Sequence, residues 1–313
     1  MSSSENTAHK LALLQYNVNK SRKKVLIGLF QDPTIQELDI LAIQEPWRNT
    51  ASGKGYNTQS IFYLIEEEAL DTRVSIYINR RIPIEEWSLV YRSKDLVTIS
   101  IQIGQRKVYI HNLYLSPSEH SNRAIPATLT KLLELLKLEG EHIALGDFNL
   151  HHPLWNPANN GHHEIADLLV EKLQLEGLEL TTPTGLITRN CYRDNQLQQS
   201  TLDLIFSSIR SIESCDIATD LEQSSDHLPI RTILLVPYIG KEEPKERRKY
   251  KDLNHDKFLQ ALDRESTSLK ALSLNQQEEI DLYISILIQA ILKAIEESTP
   301  LKAPTPFSKL FWT

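Results

Sequence analysis

The chain has 313 residues, 41% hydrophobic and 24% charged, with 10 glycines and 14 prolines, globular proportions that exclude a collagen-like or wholly disordered protein. A formal charge of −7, from 34 Lys and Arg against 41 Asp and Glu, disfavours a grip on nucleic acid by bulk positive charge but not an acidic metal site acting on a phosphodiester. Cys191 and Cys215 are the two cysteines, too few for a disulfide scaffold or a Cys-rich zinc site, and the expected compartment is reducing.

The first 236 residues alternate short apolar runs with polar turns. Strands are expected at Leu11–Tyr16, Ile40–Gln44, Arg73–Ile78, Leu96–Ile103, Val108–Leu115, His142–Leu145, Leu202–Ser207 and Ile230–Val236. Helical spacing appears at Lys20–Phe30, Ser121–Leu138 and His162–Leu175. In the second, Leu129, Leu132, Leu133 and Leu136 form one stripe, and Pro126 is tolerable only near the first turn. Many strands and few helices do not suit a (β/α)₈ barrel, which needs a helix after every strand. They suit an α/β sandwich of two sheets packed face to face with helices outside.

After Tyr238 the pattern changes. Residues 237–253 are charged and poor in apolar side chains, a linker by composition, and Lys245–Lys251 reads as a solvated face or a nuclear signal. Two helices are expected beyond it. Asn254–Lys270 offers Phe258, Leu259, Leu262 and Leu269 for one face, and a helix opening at an Asn275/Glu278 capping box carries Ile284, Leu287, Ile288, Ile291, Leu292 and Ile295 as a broad buried stripe. Residues 241–313 hold 12 basic and 12 acidic side chains, so the acidic surplus lies in residues 1–240, 22 against 29. The expected organisation is a tail at 1–9, a main domain at 10–236, a linker at 237–253 and a helical segment at 254–313. No apolar run reaches the roughly 18–20 residues of a membrane span, and Met1–Lys10 lacks a signal-peptide core; the expected place is nucleus or cytoplasm, away from membranes.

Three polar groups follow strand ends. Gly146-Asp147-Phe148-Asn149 comes after Ile143–Leu145, although Gly and an Asx pair also serve as turn chemistry. Gln44-Glu45-Pro46-Trp47 puts a carboxylate at a strand exit, suited to a metal or to simple capping. Ser225-Asp226-His227 joins an acid to an imidazole, an arrangement able to accept a proton or to sit as an ordinary loop. Asn17 and Tyr114 also lie at strand ends, and Asp203, inside Leu-Asp-Leu-Ile, needs a partner if buried. His151, His152, His162 and His163 open a zinc reading, against which stand loop structure and the hard oxygen ligands elsewhere.

In this order, Asn17 in Gln-Tyr-Asn-Val-Asn, Glu45 in Ile-Gln-Glu-Pro, Tyr114 in Leu-Tyr-Leu-Ser-Pro, Asp147 and Asn149 in Gly-Asp-Phe-Asn, Asp203 in Ser-Thr-Leu-Asp-Leu-Ile and then Ser225-Asp226-His227 closely resemble the endonuclease/exonuclease/phosphatase superfamily. Within it the sequence looks most similar to the apurinic-site-like endonuclease domain of non-LTR (LINE-type) retrotransposons, and His151–Trp155 is typical of that branch. The resemblance spans residues of about 10–236. It implies a four-layer, DNase I-like fold of two mixed sheets with outer helices, plus a short C-terminal helical appendage. The implied activity is Mg²⁺-dependent nicking of DNA to a 3′-hydroxyl end, with Mn²⁺ as a substitute.

By the same resemblance Glu45 is the main metal ligand, with Asn17 beside it. His227 is general base or phosphate-orienting group, its tautomer fixed by Asp226. Asp147 orients or activates the attacking water, Asn149 donates to a phosphate oxygen, Tyr114 holds the phosphate or eases departure of the 3′-oxygen, and Asp203 anchors the loop and helps orient a catalytic side chain. Lys302–Pro306 and Phe311-Trp312-Thr313 resemble the segment that joins such an endonuclease to a reverse transcriptase, which implies a truncated element product or a host gene derived from one, with a reverse transcriptase supplied by another chain as a candidate partner. The alternatives are a DNA-binding relic without turnover, or a phosphatase of small phosphate esters or phosphoinositides.

Overall fold

Period-two alternation divides the strand residues between two kinds of surface. In the computed structural model, which describes residues 8–19, 23–56, 61–118, 125–157, 163–221, 225–237, 249–267 and 277–300, Leu11 and Leu13 of the first strand join a core shared by both sheets, whereas Leu14, Tyr16 and Val18 join a second core with the first helix. The chain divides into two compact units, Met1–Gly240 and Lys241–Thr313.

The first unit holds two mixed six-stranded sheets. One runs, edge to edge, β13 (Ile212–Ile217), β14 (Ile230–Pro237), β1 (Ala8–Asn17), β2 (Ile40–Gln44), β4 (Val74–Asn79) and β3 (Phe62–Glu66). The other runs β5 (Trp87–Arg92), β6 (Leu96–Ile103), β7 (Arg106–Tyr114), β8 (Glu141–Asp147), β12 (Asp203–Ser207) and β9 (Glu179–Leu180). Each contains one parallel pair, β1–β2 and β7–β8, among antiparallel neighbours. A separate hairpin joins β10 (Arg189–Arg193) to β11 (Gln196–Ser200).

Val74, Ile76 and Ile78 from one sheet meet Ile99, Ile110, Ile143 and Ile205 from the other in the central core. Helix α1 (Lys23–Gln31) covers the outside of the first sheet with Leu26, Leu29 and Phe30. Helices α2 (Ala127–Leu135) and α3 (Glu164–Leu175) cover the second through Leu129, Leu132, Ala166, Leu169 and Leu173. The expected helix–sheet–sheet–helix layering is therefore present. Pro126 stands at the N-cap of α2, where its missing N–H costs nothing. The expected starts of these three helices, at Lys20, Ser121 and His162, fall outside the described residues.

Strands β3, β5, β9, β10, β11 and β13 were not among those expected from sequence. β10 and β11 read Arg-Asn-Cys-Tyr-Arg and Gln-Leu-Gln-Gln-Ser, without an apolar face, and β5 and β13 are edge strands with much of their surface exposed. β1 begins at Ala8, before the expected Leu11.

In the second unit, α4 (His255–Glu265) is capped by the Asn254 side chain on the Lys257 N–H, and α5 spans Gln277–Ser298. The broad stripe expected on α5 is corrected: Ile284, Ile288 and Leu292 are about half exposed, and the buried residues are Ala290, Ala294 and Ser298. Small side chains let α4, whose buried residue is Ala261, come close, leaving the larger ones at the margins. Leu259 is likewise exposed rather than buried. Asn275, Leu269, most of the charged 237–253 stretch, Lys302–Pro306 and Phe311–Thr313 lie outside the described residues. No helix among those described is long and apolar enough to cross a membrane.

Candidate active site

The inward faces of the central strands change character along their length. β1 presents Leu11, Leu13, then Gln15 and Asn17; β2 presents Ile40, Ala42, then Gln44; β7 presents Val108, Ile110, then Asn112 and Tyr114; β8 presents Ile143, Leu145, then Asp147. β12 runs the opposite way, so its first residue, Asp203, pairs with Asp147, which in turn pairs with Tyr114. An apolar tier is thus followed by an amide tier and then by a tier of reactive groups at one end of the sandwich.

Gly146 makes the approach of β8 to β7 feasible. Its φ is +148°, and a Cβ there would lie 1.9 Å from the Leu113 carbonyl oxygen. The glycine of Gly-Asp-Phe-Asn is thus a close-approach residue inside a strand rather than a turn residue. Asp147, buried, accepts from Asn17 Nδ2 (2.8 Å), Asn149 Nδ2 (2.8 Å) and the Asn149 backbone N–H (3.0 Å). Asn149 gives its other amide hydrogen to the Leu115 carbonyl (3.0 Å). With both amide hydrogens engaged in this structure, Asn149 braces Asp147.

His227 is nearly buried. Its Nδ1 bonds Asp203 Oδ2 at 2.7 Å, and its Nε2 lies 4.0 Å from Asp147 Oδ2. The expectation that Asp226 fixes the His227 tautomer is also corrected, because Asp226 faces elsewhere. It takes Arg189 Nε on Oδ2 (2.9 Å) and Asn19 Nδ2 on Oδ1 (2.8 Å). The loop carrying Asp226 and His227 is fastened by Ser225, whose Oγ donates to the Asn17 carbonyl (2.8 Å).

Glu45 follows β2 in the left-handed region, φ +46°, its N–H bonded to the Arg73 carbonyl at 2.7 Å. Such a backbone, in a residue other than glycine, is held only where the surroundings dictate it. Arg73 pairs with Asp95 and lies 4.8 Å over the Tyr114 ring, so one residue supports both, its carbonyl holding the Glu45 backbone and its guanidinium the Tyr114 ring. Burial, then the carboxylates of Glu45 and Asp147, push the Tyr114 hydroxyl well above its ordinary range.

The remaining charges divide unevenly. Burial and the neighbouring Asp203 push the Asp147 carboxyl up to about 7, against the opposing pull of His227 and Asn17. Burial disfavours a charged His227, but Asp203, Asp147 and Asp226 outweigh it and raise the imidazole to about 9. For Asp226, burial is overcome by Arg189, His227 and Asn19, which hold its carboxyl below the usual range.

Among the described residues, the acids and histidines near enough to share an ion are Asp147, Asp203 and His227, with ligand atoms within 4.8 Å of one another. Glu45 lies outside that trio, and Asn17 touches it through Asp147. Carboxylate and amide oxygens are the donors that Mg²⁺ prefers, so the residues fit a hard divalent ion. The zinc reading of the loop histidines gains no support. His163 Nδ1 accepts the His151 N–H (3.2 Å), and His152 Nε2 is 3.0 Å from Asp167. Trp155 is fully buried and gives its indole N–H to the Leu150 carbonyl, so the His151–Trp155 segment seats the loop after Asp147.

Two clefts are lined by residues neighbouring the reactive tier. One of about 780 Å³ is lined by Glu45, Trp47, Arg73, Lys94, Ser116 and Ser118. The other, about 580 Å³, is lined by His151, Arg189, Cys191, Gln198, Ser200 and Leu202 and belongs to the β10–β11 side. Sequence reasoning missed Arg73, Arg189, Gln15, Gln44 and Asn112. For the last three the signal was available: polar residues at every second position of otherwise apolar strands.

Residues 108–231 match the family model described as endonuclease-reverse transcriptase. Among solved structures, the endonuclease domain of TRAS1, a telomere-specific non-LTR retrotransposon, aligns with a TM-score of 0.54 at 16% identity, over 72% of this chain and 98% of that one. An endonuclease/exonuclease/phosphatase family protein from Leptotrichia buccalis aligns with a TM-score of 0.51 at 16% identity, over 71% and 98% respectively. No curated protein matches the chain.

Proposed function

We propose that the Met1–Gly240 unit, which has the fold and the family signature of the endonuclease/exonuclease/phosphatase superfamily, is a Mg²⁺-dependent DNA endonuclease of the retrotransposon type, cutting one strand to leave a 3′-hydroxyl. The observation that carries this reading is the tier itself: Asp147, His227 and Tyr114 converge at one end of the sandwich. The match of residues 108–231 to the endonuclease-reverse transcriptase family model favours a nucleic-acid strand over a small ester.

Asp147, with a proton affinity near neutrality, suits the general base that takes a proton from the attacking water. His227, positively charged at neutral pH, suits a group that binds a non-bridging phosphate oxygen. Of its two expected roles the phosphate-orienting one is therefore favoured. Tyr114, kept protonated, can give a hydrogen bond to the phosphate or to the departing 3′-oxygen. As water oxygen bonds to phosphorus, the bond to O3′ breaks and the proton ends on that oxygen. Glu45 and Asn17 would hold the Mg²⁺, which when bound neutralises charge on the phosphate and the leaving oxygen. This reading gives DNA as substrate and nucleus or cytoplasm as the place of action.

The test is nicking of supercoiled plasmid with and without Mg²⁺, for the natural chain and for Glu45→Ala and His227→Ala. Nicking that needs the metal and falls by orders of magnitude in both variants is expected, with ends that a polymerase extends. No nicking with any divalent metal, or turnover of an inositol phosphate with none of DNA, overturns the reading.

A further inference from the structure

Three amides occupy one level between the aliphatic core of the sandwich and its reactive tier. Gln15 is fully buried, two residues past Leu13 on the same face of β1. One hydrogen of its Nε2 goes to Asp203 Oδ1 at 2.8 Å and the other to Gln44 Oε1 at 3.0 Å. Gln44 donates to Asn112 Oδ1 and to the Ala42 carbonyl. Asn112 donates to the carbonyls of Ser75 (2.9 Å) and Ile43 (3.2 Å). Asp203 then places its second oxygen on His227 Nδ1. The series starts on the backbone of β2 and β4, crosses to β7, returns to β2 and β1, crosses again to β12 and ends on the imidazole.

Packing alone does not call for this. Gln15 Oε1 is buried without a hydrogen-bond partner among the described residues, a condition that lowers stability. What the amide does supply is a donor to Asp203 Oδ1, the oxygen that His227 does not use.

We propose that Gln15, Gln44 and Asn112 form an amide relay that positions the reactive tier, with Gln15 fixing Asp203 and thereby His227, and Gln44 tying that pair to the strand end that carries Glu45. The assignment of His227 as a reacting group rests on the proposed phosphodiesterase function; the relay itself rests on the hydrogen bonds. The three residues are positioning residues and touch no substrate.

The experiment uses the full chain with Gln15→Met, which keeps an unbranched side chain of similar length and removes the amide. Loss of kcat for plasmid nicking by about ten-fold or more is expected, with KM for DNA within about two-fold. The Tm is expected to fall, because Gln15→Met leaves Asp203 Oδ1 and Gln44 Oε1 buried without their donor; the split between kcat and KM and the coupling to Asp203 carry the test. The double variant Gln15→Met/Asp203→Asn is expected to be no slower than Asp203→Asn, since both act through one carboxylate. In the metal-free protein, the low-field Nδ1–H resonance of His227 is expected to move in Gln15→Met. An unmoved resonance overturns the relay whether or not the chain cuts DNA. So does a fall in kcat additive with that of Asp203→Asn, the signature of a merely structural amide. If Gln15→Met does not fold, Gln44→Met is read by the same resonance and the same criteria. Absence of nicking by the natural chain counts against the proposed function alone.

Discussion

Replacing Asp203 by Asn removes one charge from beneath His227 while keeping the outline of the side chain. The imidazole stands at about 9 rather than its ordinary 6.5, a difference worth on the order of 3 kcal/mol in favour of the charged ring. Burial acts against that charge, so the surrounding carboxylates supply more than this amount. Asp203 is the one bonded to the ring, at 2.7 Å. An Asn amide can also satisfy only one of its two neighbours, because both Gln15 and the His227 Nδ1–H need an acceptor. In Asp203→Asn the ring is therefore expected to titrate at or below 6.5. At pH 8 the charged fraction falls from about 90% to about 3%, whereas at pH 6 it changes little. The assay is an NMR titration of His227 in the metal-free protein beside Mg²⁺-dependent nicking at pH 6 and pH 8. A loss of activity about twenty-fold larger at pH 8 than at pH 6 is expected if the charged ring binds phosphate. An unshifted titration, or equal losses at the two pH values, refutes the argument.

Gly146→Ala is expected to destabilise by about 3 kcal/mol or more, since the new Cβ meets the Leu113 carbonyl and the backbone lies in glycine territory. For a unit of this size that is a fall in Tm of roughly 6–12 °C, and a change under about 2 °C contradicts it. The metal-free protein is expected to lose stability from pH 6.5 to pH 9. His227 and Asp147 both bind protons more tightly folded than unfolded, so the His227 contribution is complete below 6.5 and lost through 9, and that of Asp147 fades through about 7. Mg²⁺ should blunt this loss in a thermal melt by binding the folded state. On the acid side the sign reverses. Burial, and then His142, lower His111 to about 3, so its contribution is present above 6.5 and lost as pH falls through 3; His111→Gln should flatten that limb.

The layering and the reactive residues were readable because both follow from local pattern. Apolar runs such as Leu96–Ile103 mark strands, and Asp147, Glu45 and Tyr114 stand at strand exits, where polar side chains need a reason. What sequence did not reveal depends on contacts between distant residues. Asp226 adjoins His227 in the chain, but neighbours in extended backbone point apart, and the partner came from Asp203, 24 residues away. Asn149 was expected to face substrate, and only the folded positions of Leu115 and Asp147 show its donors occupied. The β10–β11 hairpin has no apolar periodicity, so nothing in its composition announces it. Gln15, Gln44 and Asn112 were hidden differently, as polar letters inside strand patterns that were otherwise convincing.

The first sheet is closed by strands from opposite ends of its unit: β1 pairs with β14, Ala8 against Pro237 and Gln15 against Ile230. The second sheet has all six strands by Ser207. A nascent chain can therefore complete one sheet while β1, the strand bearing Gln15 and Asn17, still has its β14 edge unpaired. Pairings of such long sequence separation form slowly, and an unpaired strand edge invites aggregation in the meantime. Because His227 directly precedes β14, the strand that ends this exposure also delivers the imidazole. On the ribosome, the acid half of the site is present before its cation, and the site is assembled only as the unit becomes safe from misassociation.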